Sequence, residues 1–292
     1  MLAGPWSRSS ASRCTWNSGS RTRPAGRTIP ACSPASTPRV CDPTVRVEAE
    51  PACVLHTRPW RETSALLEVL TPGHGRVGLI HRGARRPRRG AAPVQPFQLL
   101  EIAWRGRGEL PTLTRVELLE PFPDLSGLSA VCGLYVNELT VRLLPRGLSA
   151  PALFTAYCRT LQALGTAGPP DAALRAYELA LLSALGYAPL LDRDAAGQRL
   201  QPHGHYRYDR ERGLVAVTEA GAVPGPVVRG ETALALAAGR LEAPRVRREA
   251  RELLRHLIEP LLEGRPLHSR RLLRSLSVGG PSESEPVRNA KP

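Results

Sequence analysis

The chain has 292 residues, with 40 Lys and Arg against 26 Asp and Glu, a formal net charge of +14 and a pI near 10.6. That length allows two domains or one large one, and so basic a chain is typical of proteins that bind polyanions, most often nucleic acid and less often an acidic membrane surface. The only lysine is Lys291, which excludes the P-loop, Schiff-base and kinase chemistries that need an amine at one fixed place.

Residues 1 to 46 differ in composition from the rest of the chain. They are rich in Ser, Thr, Arg, Pro and Gly, contain Asp42 as their only acid, and show neither the period of a strand nor that of a helix. Such a segment cannot bury enough apolar surface to offset its ordering entropy. It is either a disordered basic arm that helps to hold nucleic acid, or upstream DNA translated from a start codon assigned too early, with Val45 or Val47 as the true start. We favour the second interpretation and leave the segment out of the fold prediction.

Residues 47 to 124 show the short, alternating apolar runs that are typical of β-strands. Turn residues such as Pro72-Gly73 and Gly106 to Gly108 separate these runs. The runs cover residues 53–55, 65–70, 76–81, 98–104 and 110–119. Five short strands in one such segment predict a small β-barrel, an OB-fold that binds DNA.

From residue 125 the apolar period becomes helical and predicts an α-helical domain over residues 125 to 277. Helices are expected at 128–143, 149–164, 171–185, 231–238, 244–262 and 269–276, with Ser149 and Asp171 as N-caps. Residues 191–230 are polar and Gly-rich and predict a small β-rich insertion, and residues 278–292 predict a disordered tail. The fold class is therefore α+β, with an N-terminal OB-fold β-barrel followed by the helical domain.

The densest group of basic residues follows the third predicted strand. No acid lies between its members, and Gly83 and Gly90 favour a mobile loop, which on an OB-like barrel would follow a phosphate backbone. The alternative is a solvated loop in a chain that uses Arg throughout. If five of its arginines contact single-stranded phosphates, log K falls against log salt with a slope of roughly −3.5. The predicted DNA-binding arginines are Arg76, Arg82, Arg85, Arg86, Arg88 and Arg89.

Aromatic side chains would strengthen a nucleic-acid site, because bases stack on rings. Trp60, beside Pro59 in a predicted turn, is the best candidate in the barrel, whereas Phe97 is expected to pack in the core. A second basic surface near the end of the chain is either a DNA contact or an ordinary helix surface with ion pairs four residues apart. It comprises Arg245, Arg247, Arg248, Arg251, Arg255, Arg265, Arg270, Arg271 and Arg274.

The sequence offers little for catalysis or metal binding. The six cysteines include no C-x-x-C pair, His203 and His205 have no third ligand nearby, and no spacing supports a catalytic triad. No apolar run approaches the ~18 residues that span a bilayer, and no secretory signal is visible. We therefore predict a cytoplasmic, non-enzymatic protein with no catalytic residues, no cofactor, no metal and no membrane partner.

Short motifs in the order known from one protein family run through most of the chain. They include Val54-Leu55-His56-x-Arg58-Pro59-Trp60, Gln95-Pro96-Phe97, Gly133-Leu134-Tyr135-Val136-Asn137-Glu138-Leu139, Leu174-Arg175-x-Tyr177-Glu178-Leu179 and Leu267-His268-Ser269-Arg270. Through these motifs, residues 50 to 277 resemble the RecO family of recombination mediators.

The resemblance implies an OB-fold on a helical domain and an activity without catalysis. Such proteins bind single- and double-stranded DNA, anneal complementary strands coated with single-strand-binding protein and, with RecR, help to load RecA, which places them at the nucleoid. Many relatives hold a structural zinc with cysteines of the insertion, but residues 188–230 contain no cysteine, so the zinc-free branch is implied. The alternative is an OB-fold RNA-binding protein without mediator activity.

The resemblance also implies that the helical domain docks the acidic, Phe-ended tail of single-strand-binding protein. Such a site needs a cation for the terminal carboxylate beside an apolar pocket. Arg175 would supply the cation; alternatively, it pairs with Glu178 or Asp171 on its own helix. The predicted tail-binding residues are Arg175, Leu174, Tyr177, Leu181 and Leu182.

Overall fold

The structure is a computed structural model and describes residues 45–85, 94–217 and 225–278. All of these belong to one unit of the chain, Asp42–Pro292. The segments predicted to be disordered, residues 1–46 and 278–292, lie outside the described residues except at their inner edges: Val45 and Arg46 belong to the first strand and Val278 to the last helix, so the prediction is wrong at these three residues.

Five strands form the predicted barrel. They are β1 (Val45–Trp60), β2 (Ser64–Thr71), β3 (Gly75–His81), β4 (Gln98–Gly106) and β5 (Thr112–Pro121). The strand order is β1-β2-β3-β5-β4, and β1 also pairs with β4, which closes the sheet. All pairs are antiparallel except β3 with β5, which meet in parallel at Ile80 and Thr112. The predicted OB-type barrel is confirmed.

Strand β1 is much longer than the apolar run at 53–55 that predicts it. Its first part pairs with β4 and its second with β2, and the register shifts just after Val54. Ala52 and Val54 lie in the barrel core, whereas Cys53 and Leu55 pack with the helical domain. Only the centre of β1 is buried on both faces, so its exposed, polar ends give no apolar signal.

Six described α-helices and one 3₁₀ turn follow the barrel. They are α1 (Gly127–Leu143), α2 (Pro151–Leu164), α3 (Asp171–Ala184), α4 (Gly230–Ala237), α5 (Pro244–Ile258) and α6 (His268–Val278), with the 3₁₀ turn at Glu259–Leu262. Within the described ranges, no helix combines the length and apolar character needed to cross a bilayer.

Both predicted N-caps are wrong. The Ser149 hydroxyl does not cap α2 but donates a hydrogen bond to the Pro72 carbonyl at 3.1 Å. Asp171 is the first residue of α3 rather than its cap, and its carboxylate accepts from Arg251 at 2.7 Å. In each case the side chain that the local pattern predicts as a helix cap instead bonds to a partner far away in sequence.

The insertion at 191–230 is β-rich, as predicted, and its described residues contain three strands. These are β6 (His205–Asp209), β7 (Gly213–Ala216) and β8 (Val227–Arg229), in the order β7-β6-β8. Tyr206, Tyr208, Leu214 and Val228 are buried in the same core as the helices. Apolar packing therefore makes the insertion part of the helical domain.

A buried amide joins the barrel to the helical domain. Asn137 on α1 donates to the Leu55 carbonyl of β1 at 2.8 Å, and its own oxygen accepts from the Tyr157 hydroxyl of α2 at 2.6 Å. Because both ends of the amide are satisfied in the core, this side chain fixes β1 against two helices.

Glu138 on α1 caps the N-terminus of α6. Its carboxylate accepts from the backbone N–H groups of His268 and Ser269, both at 2.9 Å, and from the Ser269 hydroxyl at 2.7 Å. Arg142 pairs with the same carboxylate at 3.2 Å. Burial by itself raises the pKa of Glu138, but these hydrogen bonds and Arg142 outweigh it and hold the pKa below the usual 4.5. Residues from two of the sequence motifs, Glu138 and the pair His268-Ser269, thus meet at the N-terminus of α6.

Replacing Glu138 by Gln is expected to lower the free energy of unfolding by about 1 kcal/mol near neutral pH, because α6 loses the anion at its N-terminus. Since the pKa of Glu138 is lower in the folded than in the unfolded chain, the contribution of the carboxylate is complete above about pH 4.5 and is lost as the pH falls through the folded value. Urea unfolding at about pH 7 and about pH 3 is expected to show a difference between the two proteins that shrinks in acid. The same difference at both pH values would contradict this role.

Candidate nucleic-acid interface

A groove of about 780 Å³ opens at one end of the barrel. It lies where β3 and β4 end and β5 begins, because Thr112 pairs with both Ile80 and Arg105 at that end. The start of β1, paired with the end of β4, lines the other side. Barrel closure therefore gathers basic residues that are far apart in sequence, namely Arg46, Arg82, Arg105 and Arg115.

The four arginines of the groove differ in how far they are neutralised. Arg46 pairs with a glutamate on β1 at 2.9 Å, and Arg115 pairs with glutamates on β4 and β5 at 3.3 and 2.7 Å. Arg82 and Arg105 are exposed, and neither side chain pairs with another described residue. These two guanidinium groups are therefore the cations that the groove offers to a phosphate.

The loop after β3 extends this positive charge to a second face of the barrel end. The Arg85 side chain donates to the Arg61 carbonyl at 3.4 Å, and its backbone N–H donates to the Thr63 carbonyl at 3.0 Å. The loop is thus tied to the turn between β1 and β2. Arg58 and Arg61 beside that turn are exposed, and their side chains have no ion pair within the described part of the chain. We give these arginines and the two free arginines of the groove one name, the barrel rim: Arg58, Arg61, Arg82, Arg85 and Arg105.

Trp60 lies within the barrel rim, at the end of β1, and is 37% exposed. Phe97 packs against the core of the helical domain, as predicted. Trp104 is buried in the barrel, where its ring meets His74 edge-on at 5.1 Å. Trp60 is therefore the most exposed of the described aromatic rings of the barrel and the one that a base can reach.

Arg76 does not belong to this surface, contrary to the prediction. Its Nε donates to the Leu144 carbonyl at 2.7 Å, and its Nη1 pairs with Glu68 at 3.1 Å. Only 16% of the side chain is exposed. Arg76 lies at the start of β3 and Arg82 just beyond its end, roughly 20 Å apart along an extended strand. Arginines of one basic run in the sequence therefore lie in two different places: Arg76 at the junction between the barrel and the helical domain, and Arg82 at the rim.

Arg76→Ala and Arg82→Ala are expected to have opposite effects. Loss of Arg76 removes hydrogen bonds at the junction and is expected to lower the free energy of unfolding by about 1–3 kcal/mol, with DNA affinity unchanged. Loss of Arg82 is expected to leave stability within about 0.5 kcal/mol and to weaken single-stranded DNA binding about fivefold near 0.1 M salt. Urea unfolding and fluorescence anisotropy measure the two effects. Weaker DNA binding by a fully stable Arg76→Ala protein would restore Arg76 to the DNA site.

The remaining predicted DNA-binding arginines, Arg86, Arg88 and Arg89, lie outside the described residues, and their role stays a prediction. They follow directly on Arg85, and the chain is described again from Val94, which lines a small pocket with Arg58 and Arg85. The described residues on either side of this segment, Arg85 and Val94, therefore both lie at the rim.

The residues predicted to dock the partner tail lie inside the helical domain. Arg175 is 5% exposed and donates to Glu178 at 2.6 Å, and the Tyr135 hydroxyl donates to the same carboxylate oxygen at 2.6 Å. The tail-docking prediction needs a carboxylate to reach Arg175, and in this structure α3 packs against α1, α2 and α5. The pairing of Arg175 with Glu178, the alternative in the sequence, is the one observed. The four apolar residues of the predicted site are buried: Leu174, Tyr177, Leu181 and Leu182.

The second basic surface is largely neutralised. Arg245, Arg251 and Arg255 on α5 each form an ion pair with an acid, at 2.6, 2.7 and 2.6 Å. This is the ordinary helix surface that the sequence offers as the alternative to DNA contact.

Within the described ranges, no three His, Cys, Asp or Glu side chains come together as possible metal ligands. Asp194 lies in the insertion. Its carboxylate accepts from the N–H groups of Ala196 and Gln198 at 2.9 and 2.8 Å and so closes a turn.

The sequence pattern does not single out Arg58, Arg61 or Arg105, because each stands apart from the basic cluster. What they share is a place at one end of the barrel, and that depends on strand order, a long-range property. A usable signal is the position of Arg58 and Arg61 on either side of Pro59-Trp60, the predicted stacking site.

Comparison with known proteins points to one family. Residues 46–122 match the family model described as Recombination protein O N terminal, and residues 126–271 match Recombination protein O C terminal. The DNA repair protein RecO of Azoarcus sp. strain BH72 is 43% identical over 235 residues, which are 79% of this chain and 97% of that protein. The proteins of the same name from Nitrosococcus oceani and Methylococcus capsulatus are both 43% identical, over 82% and 84% of this chain and 99% and 100% of theirs. The two matched regions correspond to the barrel and the helical domain.

Proposed function

The chain belongs to the RecO family of DNA repair proteins, and from that premise we propose that it is a mediator of homologous recombination. In this role it binds single- and double-stranded DNA and anneals complementary strands coated with single-strand-binding protein. With RecR, it promotes the loading of RecA at the nucleoid.

The observation that carries the proposal is the barrel rim. Two of its exposed arginines, Arg82 and Arg105, line one groove, and none of the five side chains forms an ion pair with a described acid. A free guanidinium is ready to replace a counterion on a phosphate, and release of that counterion favours binding to any sequence. Trp60 adds a ring for stacking, which also tolerates any base.

Annealing follows from the same electrostatics. Two DNA strands repel each other through their phosphates, and a surface that neutralises phosphates without reading bases allows the strands to approach and pair. The free energy then comes from base pairing, so the step needs no nucleotide hydrolysis and no catalytic residue.

The full chain is expected to accelerate the annealing of complementary DNA strands that are precoated with single-strand-binding protein. Quenching between end-labelled strands measures the rate, and non-complementary strands are the control for aggregation. No acceleration by folded protein would contradict the mediator proposal.

The alternative is an OB-fold RNA-binding protein, since the same rim would hold an RNA backbone. Competition distinguishes the two functions. A mediator is expected to bind single-stranded DNA and RNA with affinities within about tenfold at equal salt, because the rim contacts phosphates rather than the 2′-hydroxyl. Strong preference for RNA together with no annealing would favour the alternative.

We also propose that the helical domain binds the acidic tail of single-strand-binding protein, with Arg175 as the cation. The Nε atom of Arg175 is buried and has no hydrogen-bond partner in the described structure, so the guanidinium keeps a free donor. For the carboxylate of the tail to reach the guanidinium of Arg175, the helices packed against α3 have to move apart.

The variant for this test must keep the core filled. Replacing Arg175 by Met, Glu178 by Leu and Tyr135 by Phe removes the cation and its two partners without leaving an unpaired buried group. This triple variant is expected to bind the tail peptide about tenfold more weakly, which is about 1.4 kcal/mol, with DNA affinity unchanged. Equal loss of both affinities, or full tail binding, would contradict the role of Arg175.

A further inference from the structure

Two cysteines from different domains lie side by side at the junction of the barrel and the helices. Cys53 is on β1 and Cys158 on α2, and their Sγ atoms are 3.6 Å apart, although 105 residues separate them in the chain. Both are free thiols. At that distance the sulfurs are in contact, and a small inward movement would bring them to the length of a disulfide bond.

From this geometry we propose that Cys53 and Cys158 form a peroxide-sensitive pair, which is oxidised to a disulfide that links the barrel covalently to the helical domain. The proposal is independent of the DNA-binding function, because it rests on the position of the two thiols alone.

The two thiols have different roles because their surroundings differ. Cys53 is fully buried, whereas Cys158 is partly exposed and can meet a small oxidant. A hydrogen bond from the Cys53 thiol lowers the pKa of Cys158 and favours its thiolate, while burial raises the pKa of Cys53. Since the thiolate is the nucleophile, Cys158 attacks the oxidant and Cys53 resolves the product.

The reaction balances with one peroxide. The Cys158 thiolate attacks one oxygen of hydrogen peroxide, the O–O bond breaks, and the other oxygen leaves as hydroxide, which takes up the thiol proton as water. The Cys53 sulfur then attacks the sulfur of the sulfenic acid on Cys158 and forms the S–S bond. The hydroxyl group leaves as a second water with the Cys53 proton. Two thiols are oxidised and one peroxide is reduced.

Cys132 is an internal control in the same core. It is buried on α1, and neither a hydrogen bond nor a sulfur contact reaches its thiol from another described residue. Burial raises its pKa to about 11, so little thiolate forms at neutral pH. We expect it to remain a thiol under conditions that oxidise the pair.

Peptide mapping tests the proposal on the full chain. Reduced protein is treated with hydrogen peroxide, blocked with N-ethylmaleimide in denaturant and digested with trypsin. Cys53 and Cys158 lie in separate tryptic peptides, 47–61 and 147–159, with one cysteine each, and Cys132 lies in a third, 116–142. The expected result is a linked pair of peptides 47–61 and 147–159, with peptide 116–142 blocked as a thiol. No linked pair, or equal oxidation of Cys132, would overturn the proposal.

Single variants separate the two roles. Cys53→Ser is expected to leave Cys158 as a sulfenic acid that dimedone labels, because the resolving thiol is gone. Cys158→Ser is expected to leave Cys53 fully blocked as a thiol, since peroxide does not reach it, and Cys132→Ser is expected to form the link as the wild type does. Dimedone labelling of Cys53 in the Cys158→Ser protein would overturn the assignment. If a variant does not fold, the same peptide mapping on the wild-type chain unfolded in urea tests the proposal. Because the proposal rests on the folded geometry, the preference of peroxide for Cys53 and Cys158 over Cys132 must disappear in the unfolded chain.

Discussion

Replacing Arg175 by Ala is expected to lower the free energy of unfolding by about 3–5 kcal/mol, because it breaks a buried ion pair. The substitution leaves the Glu178 carboxylate 3% exposed with its charge uncompensated. It also leaves a cavity at the centre of the helical domain, between α3 and the helices that cover it. Urea unfolding followed by circular dichroism measures the loss.

The large loss of stability is expected because Arg175 belongs to a buried cluster of three side chains, with Glu178 and Tyr135, rather than to a single ion pair. Arg175 and Tyr135 donate to the same oxygen of Glu178. Burial by itself lowers the pKa of Arg175, but the Glu178 carboxylate outweighs it and keeps the pKa above its usual value. The arginine therefore stays charged in the core, and its charge compensates that of Glu178.

A matched control separates the lost pair from the lost volume. The triple variant in which Arg175, Glu178 and Tyr135 become Met, Leu and Phe removes every member of the cluster and keeps the core filled. It is expected to be close to the wild type in stability, since well-packed apolar residues often replace a buried ion pair at no cost. A triple variant as unstable as Arg175→Ala, or an Arg175→Ala protein as stable as the wild type, would contradict this account of the cluster.

The second large effect concerns DNA. Changing Arg82, Arg85, Arg86, Arg88 and Arg89 together to Ala is expected to weaken single-stranded DNA binding on the order of 10³-fold near 0.1 M salt. If all five contact phosphates, the slope of log K against log salt becomes less steep by roughly 3.5. Anisotropy titrations of a labelled oligonucleotide at several salt concentrations measure both quantities.

The control for this variant keeps the same net charge. Five exposed arginines outside the barrel have no side-chain ion pair or hydrogen bond with a described residue: Arg159, Arg199, Arg212, Arg240 and Arg248. Their replacement by Ala is expected to change affinity by less than about threefold, through long-range attraction only. An equal loss in both variants would show that total charge, rather than these five rim and loop arginines, determines DNA affinity.

Much of the fold follows from local pattern. The change of apolar period near residue 125 separates the barrel from the helices, and the centre of every barrel strand and nearly every helix agrees with its apolar run. The bounds of β1 and the two helix caps do not, because they depend on partners far away in sequence. Ser149 bonds to the barrel and Asp171 to α5, and no local rule contains either contact.

The candidate site was less predictable, for the same reason. Arg76 and Arg82 look alike in the sequence, yet the first bonds to the Leu144 carbonyl, 68 residues further on, and the second faces solvent. Arg175 pairs with Glu178 on its own helix, and α3 packs against α1, α2 and α5, which no local rule contains. Local pattern identifies which residues are basic or apolar, whereas tertiary contacts decide which arginines are free to bind a phosphate.

The most direct test of the mediator function measures how fast complementary DNA strands coated with single-strand-binding protein anneal. Three full-length proteins are compared: the wild type, the rim and loop variant (Arg82, Arg85, Arg86, Arg88 and Arg89 changed to Ala), and the control variant with five other arginines changed to Ala. The account predicts that the wild type and the control anneal at similar rates and that the rim and loop variant, still folded, does not. Annealing by the rim and loop variant at the wild-type rate would contradict the proposed DNA site. Failure of the wild type itself would contradict the mediator function.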